Sequence, residues 1–501
     1  MTSGMIQPLA RYTNRRGLVI LPLLGLFVAL AARGPLGIDA DPLRIIGTFL
    51  IGVFAVVLAV RHPAAFVAPV LFLPRDKEIS ALSGLGAAGE VTALGLAGGL
   101  LAAGLVLRLI LHGKHPKDQS VGEITPNASS FGRAHKAFLF FAAMVSLSYL
   151  YTPAPSYGAE KLWGFLTLGV GLFLAVPVMF ATDRDFKDLA AGTVVFGAIV
   201  AVSSLSFSAT GAMGAHDNAA HIGKGQVIAL ATLMLLYTPV THPWLRRVVM
   251  FVLIPILALG LVSAETRGPL FSLVFVLFLS FFVQHMRSPL VTRRQMAIVA
   301  AVLVCAMSLL SMFWFYGTAA AKFQYKTAET LALLEGDSEA RGTAVQRLGY
   351  YSAAIDASLQ HPFTGWGIGG WSMAYWRQDE RQYPHNLLLE VLVEQGFLGL
   401  SLLTFFLLSV FRELRSSMTE TAGRLPFLLP CGIYLLSIAM FSGDLDDSRF
   451  VWFWCGLTLE GCAAVHRWRP AAGQLKNGNT MYGFTQPSAG AASLSPATEG
   501  L

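Results

Sequence analysis

The sequence predicts an all-α polytopic membrane protein with about 12 to 14 transmembrane helices. Hydrophobic residues make up 54% of the 501 residues, and charged residues only 13%. Apolar runs near the length that crosses a hydrocarbon core of about 30 Å recur along the chain. The alternating pattern of a transmembrane barrel is absent from the sequence. Because only helices or closed barrels satisfy backbone polar groups in lipid, a helical bundle is the remaining class.

The apolar runs give the positions of the expected spans. We expect them near residues 17–32, 43–60, 63–74, 91–112, 136–151, 162–181, 187–208, 225–240, 247–263, 267–285, 296–316, 385–411, 425–441 and 450–466. The third run is short and could be re-entrant or merge with a neighbour. The first run follows three arginines and resembles a signal peptide. Since many spans follow, an uncleaved first helix is the better interpretation.

Basic residues in alternate short loops predict the orientation of the spans. Three successive loops are expected on the cytoplasmic side because they carry Arg246 and Arg247, then Arg287, Arg293 and Arg294, then Arg412, Arg415 and Arg424. Both termini fall on that side, and the long segment 317–384 falls on the outer, periplasmic side. The net charge of +7 is not gathered into a patch, so nucleic acid is not an expected partner; the lipid bilayer is.

The same pattern suggests four regions. They are an N-terminal transmembrane bundle (1–200), a core with the periplasmic loop 317–384 (201–411), C-terminal transmembrane helices (412–469) and a disordered cytoplasmic tail (470–501) rich in small polar residues. The cysteines Cys305, Cys431, Cys455 and Cys462 all lie in apolar runs. Their spacing predicts neither a disulfide framework nor a metal site.

The stretch YPHNLLLEVLVEQGFLGL, residues 383–400, is the strongest candidate for a functional site. Pro384 suits the first turn of a helix, which would place His385 at a helix N-terminus, where the dipole disfavours the imidazolium form. A neutral histidine can act as a general base; an interfacial histidine that only caps the helix is the alternative. Glu390 and Glu394 are four residues apart and therefore share one helix face. Because charges inside a bilayer are costly, they are expected to face protein or a wet cavity, where an arginine could pair with them.

Three arginines are expected on the same outer face. Arg267 opens a span in the sequence AETRGP, and Arg341 and Arg347 precede the amphipathic stretch AVQRLGYYSAAIDASLQHP. The guanidinium group is a rigid fork of donors suited to phosphate oxygens. Arginines beside a neutral histidine fit a phosphate-bearing ligand that is attacked by a hydroxyl group. Arg267 could instead be a snorkelling anchor of the helix end.

Other features near this stretch are less specific. Several aromatic residues could stack on sugars or lie at the level of the lipid headgroups: Tyr350, Tyr351, Trp366, Trp371, Tyr375, Trp376 and Tyr383. The sequence GWGIGGW matches no nucleotide-binding pattern and is interpreted as a turn. Asp444, Asp446 and Asp447 could hold a divalent metal, but a solvated loop is the expected role.

The motif residues resemble those of the bacterial O-antigen ligase/polymerase family. The resemblance rests on YPHNLLLEVLVEQGFLGL, on QRLGYYSAAIDASLQHPFTGWGIG before it and on SAETRGPLFSL, and it covers about residues 200–411. It implies a C-type glycosyltransferase fold in the bacterial inner membrane. It also implies transfer of a glycan from undecaprenyl diphosphate to an acceptor, either lipid A–core or another glycan, at the periplasmic face.

The resemblance also implies roles for individual residues. His385 would activate the acceptor hydroxyl, and Arg267 and Arg347 would bind the diphosphate, without a metal ion or another cofactor. Asn386, Glu390, Glu394 and Arg341 would support the site. The segment GAHDNAAHIGKGQ departs from the simpler polar turn that the family pattern suggests, so His221 or Lys224 could also contact a substrate.

Two functions of other kinds stay open from the sequence. A transporter of lipid-linked glycan would use inward-facing charges along the whole membrane path, whereas the polar residues here cluster at one face. A metal-dependent oligosaccharyltransferase would use the aspartates at 444–447. Neither the sugar, nor the linkage, nor the choice between ligase and polymerase follows from the sequence.

Overall fold

The computed structural model describes residues 62–72, 132–180, 182–210, 218–238, 242–264, 266–287, 343–441 and 444–467. Within these ranges helices are the only regular secondary structure, as the composition predicts. The expected spans near 17–32, 43–60, 91–112 and 296–316, most of the loop 317–384 before residue 343, and the tail 470–501 lie outside the described residues.

The described helices follow one another along the chain with short connections. They are α1 (Val67–Phe72), α2 (Arg133–Ser148), α3 (Pro155–Met179), α4 (Asp183–Thr210), α5 (Asn218–Tyr237), α6 (Pro243–Ser263), α7 (Arg267–Arg287), α8 (Thr343–Gln360), α9 (Leu387–Ser416), α10 (Met418–Arg424), α11 (Leu428–Ala439) and α12 (Arg449–Arg467). A 3-10 turn precedes α1, and a short π-helical turn, Ser372–Trp376, lies between α8 and α9.

Five of the described helices are long and apolar enough to cross a membrane: Arg133–Tyr151, Pro155–Met179, Asp183–Leu205, Pro243–Ser263 and Leu387–Ser416. Shorter apolar helices cover Ile222–Tyr237, Arg267–Ser280 and Leu428–Ala439. These positions agree with the expected spans. The chain is therefore a polytopic helical membrane protein.

The start of α3 differs from the predicted span, which began at residue 162. The helix begins at Pro155 because proline is well suited to the first turn, where its missing N–H group has no helical partner to lose. As a result, Lys161 lies inside the helix and not in the preceding loop. Its side chain is fully buried.

Large apolar side chains cover the outside of the spans. Leu150, Trp163, Phe251 and Phe278 are all more than 60% exposed, as expected for surfaces that face lipid. Inside the bundle, small residues allow close helix contacts. Gly197 of α4 lies against Ala231 of α5, where an added Cβ would be 2.3 Å from the alanine Cβ.

An aromatic core joins the helices that carry the candidate site. The ring centroid of Phe138 in α2 lies 4.2 Å from that of Phe173 in α3, 4.9 Å from that of Phe406 in α9 and 5.6 Å from that of Trp452 in α12. Helix α9 also packs against α8. These contacts hold α3, α8, α9 and α12 as one frame around the segments 361–386 and 440–448.

Candidate active site

His385 lies in the segment that leads into α9 and has a left-handed backbone, with φ of 58°. Its half-buried ring stacks on Tyr350 of α8, with ring centroids 6.1 Å apart, and meets the edge of Tyr383 at 4.4 Å. The expectation that Pro384 and His385 form the first turn of the helix is wrong. The helix begins at Leu387, and Asn386 is its N-cap residue.

Asn386 has a structural role that explains this boundary. Its side-chain oxygen accepts hydrogen bonds from the backbone N–H groups of Leu388 at 3.0 Å and Leu389 at 3.1 Å. Such a cap satisfies two of the amide groups that a helix leaves unpaired at its start. The amide nitrogen donates to the carbonyl of Met440 at 3.3 Å. Asn386 therefore fixes the position of His385 against the end of α11.

Burial and a neighbouring cation keep the imidazole of His385 uncharged. Burial lowers the pKa of His385 to about 4, and the guanidinium of Arg347 acts in the same direction, while Asp444 and Asp447 oppose them. The cause thus differs from the helix dipole that the sequence suggested. The Nδ1 atom is buried and has no hydrogen-bond partner among the described residues. A neutral ring with a free nitrogen is suited to accept a proton.

The structure brings Arg347 to His385. Arg347 and Tyr350 are three residues apart in α8 and therefore share a helix face, and both act on the imidazole. Arg347 is half-buried. A guanidinium group placed beside a neutral histidine gives the site one cationic group and one proton acceptor.

Arg267 lies at the start of α7 and reaches the same part of the fold through α11. The ring of Phe271, one turn further along α7, meets the edge of Phe441 at a centroid distance of 5.8 Å. The preceding carbonyl, that of Met440, accepts the hydrogen bond from Asn386. The end of α11 thus stands between the first turn of α7 and the His385 segment.

The other residues expected near the site are placed less fully. Lys224 is buried in α5, and the next residue, Gly225, lies against Thr266 just before Arg267, where an added Cβ would be 2.2 Å from the threonine oxygen. His221 belongs to α5, but its side chain lies outside what the structure describes. Arg341 also lies outside the described residues.

Glu390 and Glu394 face the same side of α9, as their spacing predicts, but their partner is not an arginine. Both carboxylates contact the ammonium group of Lys161, and two Nζ–O distances to Glu394 are 2.8 Å. Both glutamates are buried together with Lys161. This Lys161–Glu390–Glu394 cluster ties α3 to α9 because a buried charge is stable only when it is paired.

The aspartates between α11 and α12 belong to the same polar network. The carboxylate of Asp444 accepts hydrogen bonds from the Tyr157 hydroxyl at 3.1 Å and from Arg381 at 3.4 Å, and Arg381 also contacts Asp447 at 3.0 Å. Glu390 accepts the backbone N–H of Leu445 at 3.0 Å. Since Asp444 is only 1% exposed, the expectation of a solvated acidic loop is wrong for this residue.

The three aspartates also have the donors that a divalent cation would use. One carboxylate oxygen from each of Asp444, Asp446 and Asp447 lies within 4.8 Å of the others. Burial raises the pKa of Asp446 to about 7, and the two neighbouring carboxylates add to that rise. The guanidinium of Arg381 already contacts two of the three carboxylates. It therefore supplies positive charge at the position where a cation would bind.

The glycine-rich turn supports the site by pairing with a break in α9. Gly396 has a φ of 63° and interrupts the helix. Backbone N–H groups of Trp366 and Gly367 donate to carbonyls just before the break, at 2.9 and 2.8 Å, and Phe397 donates back to the carbonyl of Pro362 at 2.8 Å. The interpretation of GWGIGGW as a turn is confirmed, whereas the helix break was not predicted.

Sequence reasoning missed several residues of this site. The chief ones are Lys161, Tyr157 and Arg381. Lys161 was excluded because the span was begun one residue too late, although a lysine followed at once by an apolar run is a signal for a buried ion pair. Arg381 lies in the charged stretch RQDERQ, from which nothing singles it out.

The fold and this site define a polytopic helical membrane protein with a buried histidine–arginine site at one end of its bundle. Residues 252–404 match the family model described as O-antigen ligase, and that part of the chain belongs to the O-antigen ligase/polymerase family. The match includes Arg267, Arg347 and His385. No curated protein matches the chain.

Proposed function

We propose that the protein transfers a glycan from undecaprenyl diphosphate to an acceptor hydroxyl at the periplasmic face of the bacterial inner membrane. The acceptor is lipid A–core for an O-antigen ligase, or another lipid-linked glycan for a polymerase. The observation that carries the proposal is the neutral His385 imidazole beside the Arg347 guanidinium. The family match supports the class of reaction.

In the proposed reaction, His385 takes the proton from the acceptor hydroxyl while the oxygen attacks the anomeric carbon of the donor sugar. The bond between that carbon and the diphosphate oxygen breaks, and undecaprenyl diphosphate leaves with the electron pair. A single displacement of this kind inverts the configuration at the anomeric carbon. The proton on the imidazole is then released to solvent, so the histidine is restored.

The arginines supply the charge that the leaving diphosphate requires. Arg347 is adjacent to the base, and we assign Arg267, at the start of α7, to the other side of the diphosphate. Guanidinium groups can bind phosphate oxygens through paired hydrogen bonds, and cations placed where charge develops stabilise the transition state. On this proposal the reaction needs no metal ion.

The test is transfer by the purified protein in lipid nanodiscs. Undecaprenyl-diphosphate-linked glycan and acceptor lipid extracted from the source cells are added with EDTA, and the two products are measured. We expect both free undecaprenyl diphosphate and glycosylated acceptor. Products that appear only after Mg²⁺ or Mn²⁺ is added would point to the aspartates at 444–447 and contradict the arginine mechanism.

A transporter without transferase activity is separated by the same material in vesicles. It would move the lipid-linked glycan between leaflets and leave the sugar–diphosphate bond intact. The polar network described above lies at one end of the bundle, around the segments 361–386 and 440–448, and not along its length. This placement favours transfer over transport.

A further inference from the structure

Two exposed aromatic rings stand next to the His385 site. Tyr375 and Trp376, in the short π-helical turn Ser372–Trp376, are 42% and 39% exposed. Their ring planes are nearly perpendicular, at 86°, with centroids 5.2 Å apart. They therefore form a corner with two ring surfaces and not a single flat patch.

This corner is packed on the same tyrosine that stacks on the catalytic histidine. The ring of Tyr350 contacts Tyr375 at 5.6 Å and Trp376 at 6.1 Å between centroids, and its other neighbour is His385 at 6.1 Å. Each exposed ring is thus one aromatic ring removed from the imidazole. A substrate group bound in the corner would lie beside the reacting atoms.

The corner is held in place by buried contacts on two sides. The ring of Trp371, which is fully buried, stacks on Tyr375 at 5.0 Å with an angle of 6° between the planes. Further along, the carboxylate of Asp379 accepts the backbone N–H groups of Ser156 at 2.8 Å and Tyr157 at 2.9 Å. A ring surface that is already fixed loses little conformational entropy when a ligand binds.

The surroundings of the corner are polar. The residues that follow it are Arg377, Gln378, Asp379, Glu380 and Arg381, and most of them are exposed. The lipid-facing aromatics of this chain, such as Trp163 and Phe251, lie instead on long apolar helices. Ring faces carry partial negative charge and attract the C–H groups of a sugar, while adjacent amide and charged groups can hydrogen-bond its hydroxyls.

We propose that Tyr375 and Trp376 form a saccharide-binding platform that holds a sugar ring of the donor or acceptor glycan beside His385. This inference rests on the proposed glycan transfer and adds to it a subsite for the sugar, separate from the residues assigned to the diphosphate. The platform binds and positions the glycan and takes no part in proton transfer.

The first test is the kinetics of Trp376→Ala in the nanodisc transfer assay. We expect the KM for one sugar-bearing substrate to rise about tenfold, while kcat changes less than about twofold, because the ring contributes binding and not chemistry. The substrate whose KM rises identifies the sugar as that of the donor or that of the acceptor. Trp376→Phe, which keeps an aromatic face, should recover most of the affinity.

Trp244→Ala is the matched control, because Trp244 is also exposed but lies at the start of α6. It should leave both KM values unchanged. If Trp376→Ala also leaves both unchanged, the platform is wrong. Quenching of Trp376 fluorescence by brominated lipids, measured as the difference between wild type and Trp376→Ala, would show a headgroup contact and would equally overturn the proposal.

A binding measurement separates this inference from the proposed reaction. Free oligosaccharides, released by mild acid from the polysaccharide of the source cells, are titrated into wild type, Trp376→Ala and Tyr375→Ala, and the change in tryptophan fluorescence is followed. Binding that both substitutions weaken supports the platform even if wild type transfers no glycan, a result that would remove only the transferase assignment. Binding that neither substitution weakens contradicts the platform.

Discussion

The guanidinium that lowers the pKa of His385 is also the group that we propose binds the donor diphosphate. With Arg347 uncompensated, burial and this cation together hold the pKa of His385 at about 4. A diphosphate bound to Arg347 would place negative charge beside the imidazole. That charge favours the protonated ring and so makes the histidine a stronger base once the donor is bound.

This coupling predicts two different acid limbs in the pH profile. The value of kcat/KM reports the free enzyme and kcat the substrate complex, so kcat/KM should fall as the pH drops through about 4, and kcat should fall at a higher pH. Both should be level above that fall, because the neutral base is the active form. The measurement is steady-state kinetics from pH 3.5 to 8.

Two variants assign the limbs of that profile. Arg347→Gln should raise the pH at which kcat/KM falls, because it removes the cation that lowers the His385 pKa. An inflection near pH 7 that disappears in Asp446→Asn belongs to Asp446, whose pKa is raised to about 7. Limbs of kcat and kcat/KM at one and the same pH would show that donor binding does not affect the base.

Lys161 makes a second prediction at this scale, for stability. Replacing Lys161 by Met leaves Glu390 and Glu394 buried side by side without their cation. Removing one member of a buried ion pair costs about 3–5 kcal/mol, so the unfolding temperature of the purified protein should fall sharply. The triple variant Lys161→Met, Glu390→Gln, Glu394→Gln should recover part of the loss.

Lys136→Met serves as the control, since Lys136 is an exposed lysine of α2. Its unfolding temperature should stay near that of wild type. If Lys161→Met behaved in the same way as this control, the buried Lys161–Glu390–Glu394 cluster would contribute nothing to the stability of the bundle.

At the scale of elements, the break in α9 and the glycine-rich turn depend on each other. A Cβ atom at Gly396 would lie 2.4 Å from the carbonyl carbon of Phe363, and one at Gly365 would lie 2.3 Å from the carbonyl carbon of Glu394. Both glycines also have positive φ angles. The turn can pair with the helix only because neither residue has a side chain.

Gly396→Ala should therefore destabilise the protein and lower transfer. Left-handed backbone costs a residue other than glycine about 1–3 kcal/mol, and relief of the contact with Phe363 would shift the turn away from α9. Thermal unfolding and transfer rate are the measurements. Gly423→Ala is the control, because an added Cβ there meets nothing within 4 Å; an equal effect of the two substitutions would remove the argument.

The elements also show what the sequence could and could not predict. Apolar runs located α2, α4, α6 and α9 to within a few residues, because burial in lipid demands a long apolar helix. The break at Gly396 was not predictable, because a single glycine in an apolar run is common in transmembrane helices. Only its contact with the distant turn gives that glycine its conformation.

At the scale of the whole molecule, the site combines the matched region with helices on either side of it. His385, Arg347 and the glutamates lie within residues 252–404, whereas Lys161 comes from α3 and Asp444 from the α11–α12 connection. The sequence predicted the residue types and their rough positions. It could not predict that Lys161 and Glu394 pair, because contacts between residues so far apart depend on how the helices pack.

The proposed orientation of this molecule is testable by labelling. Glu380 and Arg246 are both exposed, and the basic loops predict that Glu380 lies on the periplasmic side and Arg246 on the cytoplasmic side. In spheroplasts, a membrane-impermeant maleimide should label Glu380→Cys but not Arg246→Cys until the membrane is permeabilised. Wild type corrects for the native cysteines. The reverse pattern would place the site on the cytoplasmic side.

The most direct measurement of the central claim compares His385→Ala with His361→Ala in the EDTA-containing transfer assay. His361 lies in the same segment, but its ring packs on Trp366 at 4.6 Å and has no assigned role. A general base contributes about 10²–10⁴-fold to a rate, so His385→Ala should lose at least about a hundredfold in kcat while His361→Ala stays near wild type. Equal transfer by His385→Ala and wild type would contradict the assignment of His385 as the catalytic base.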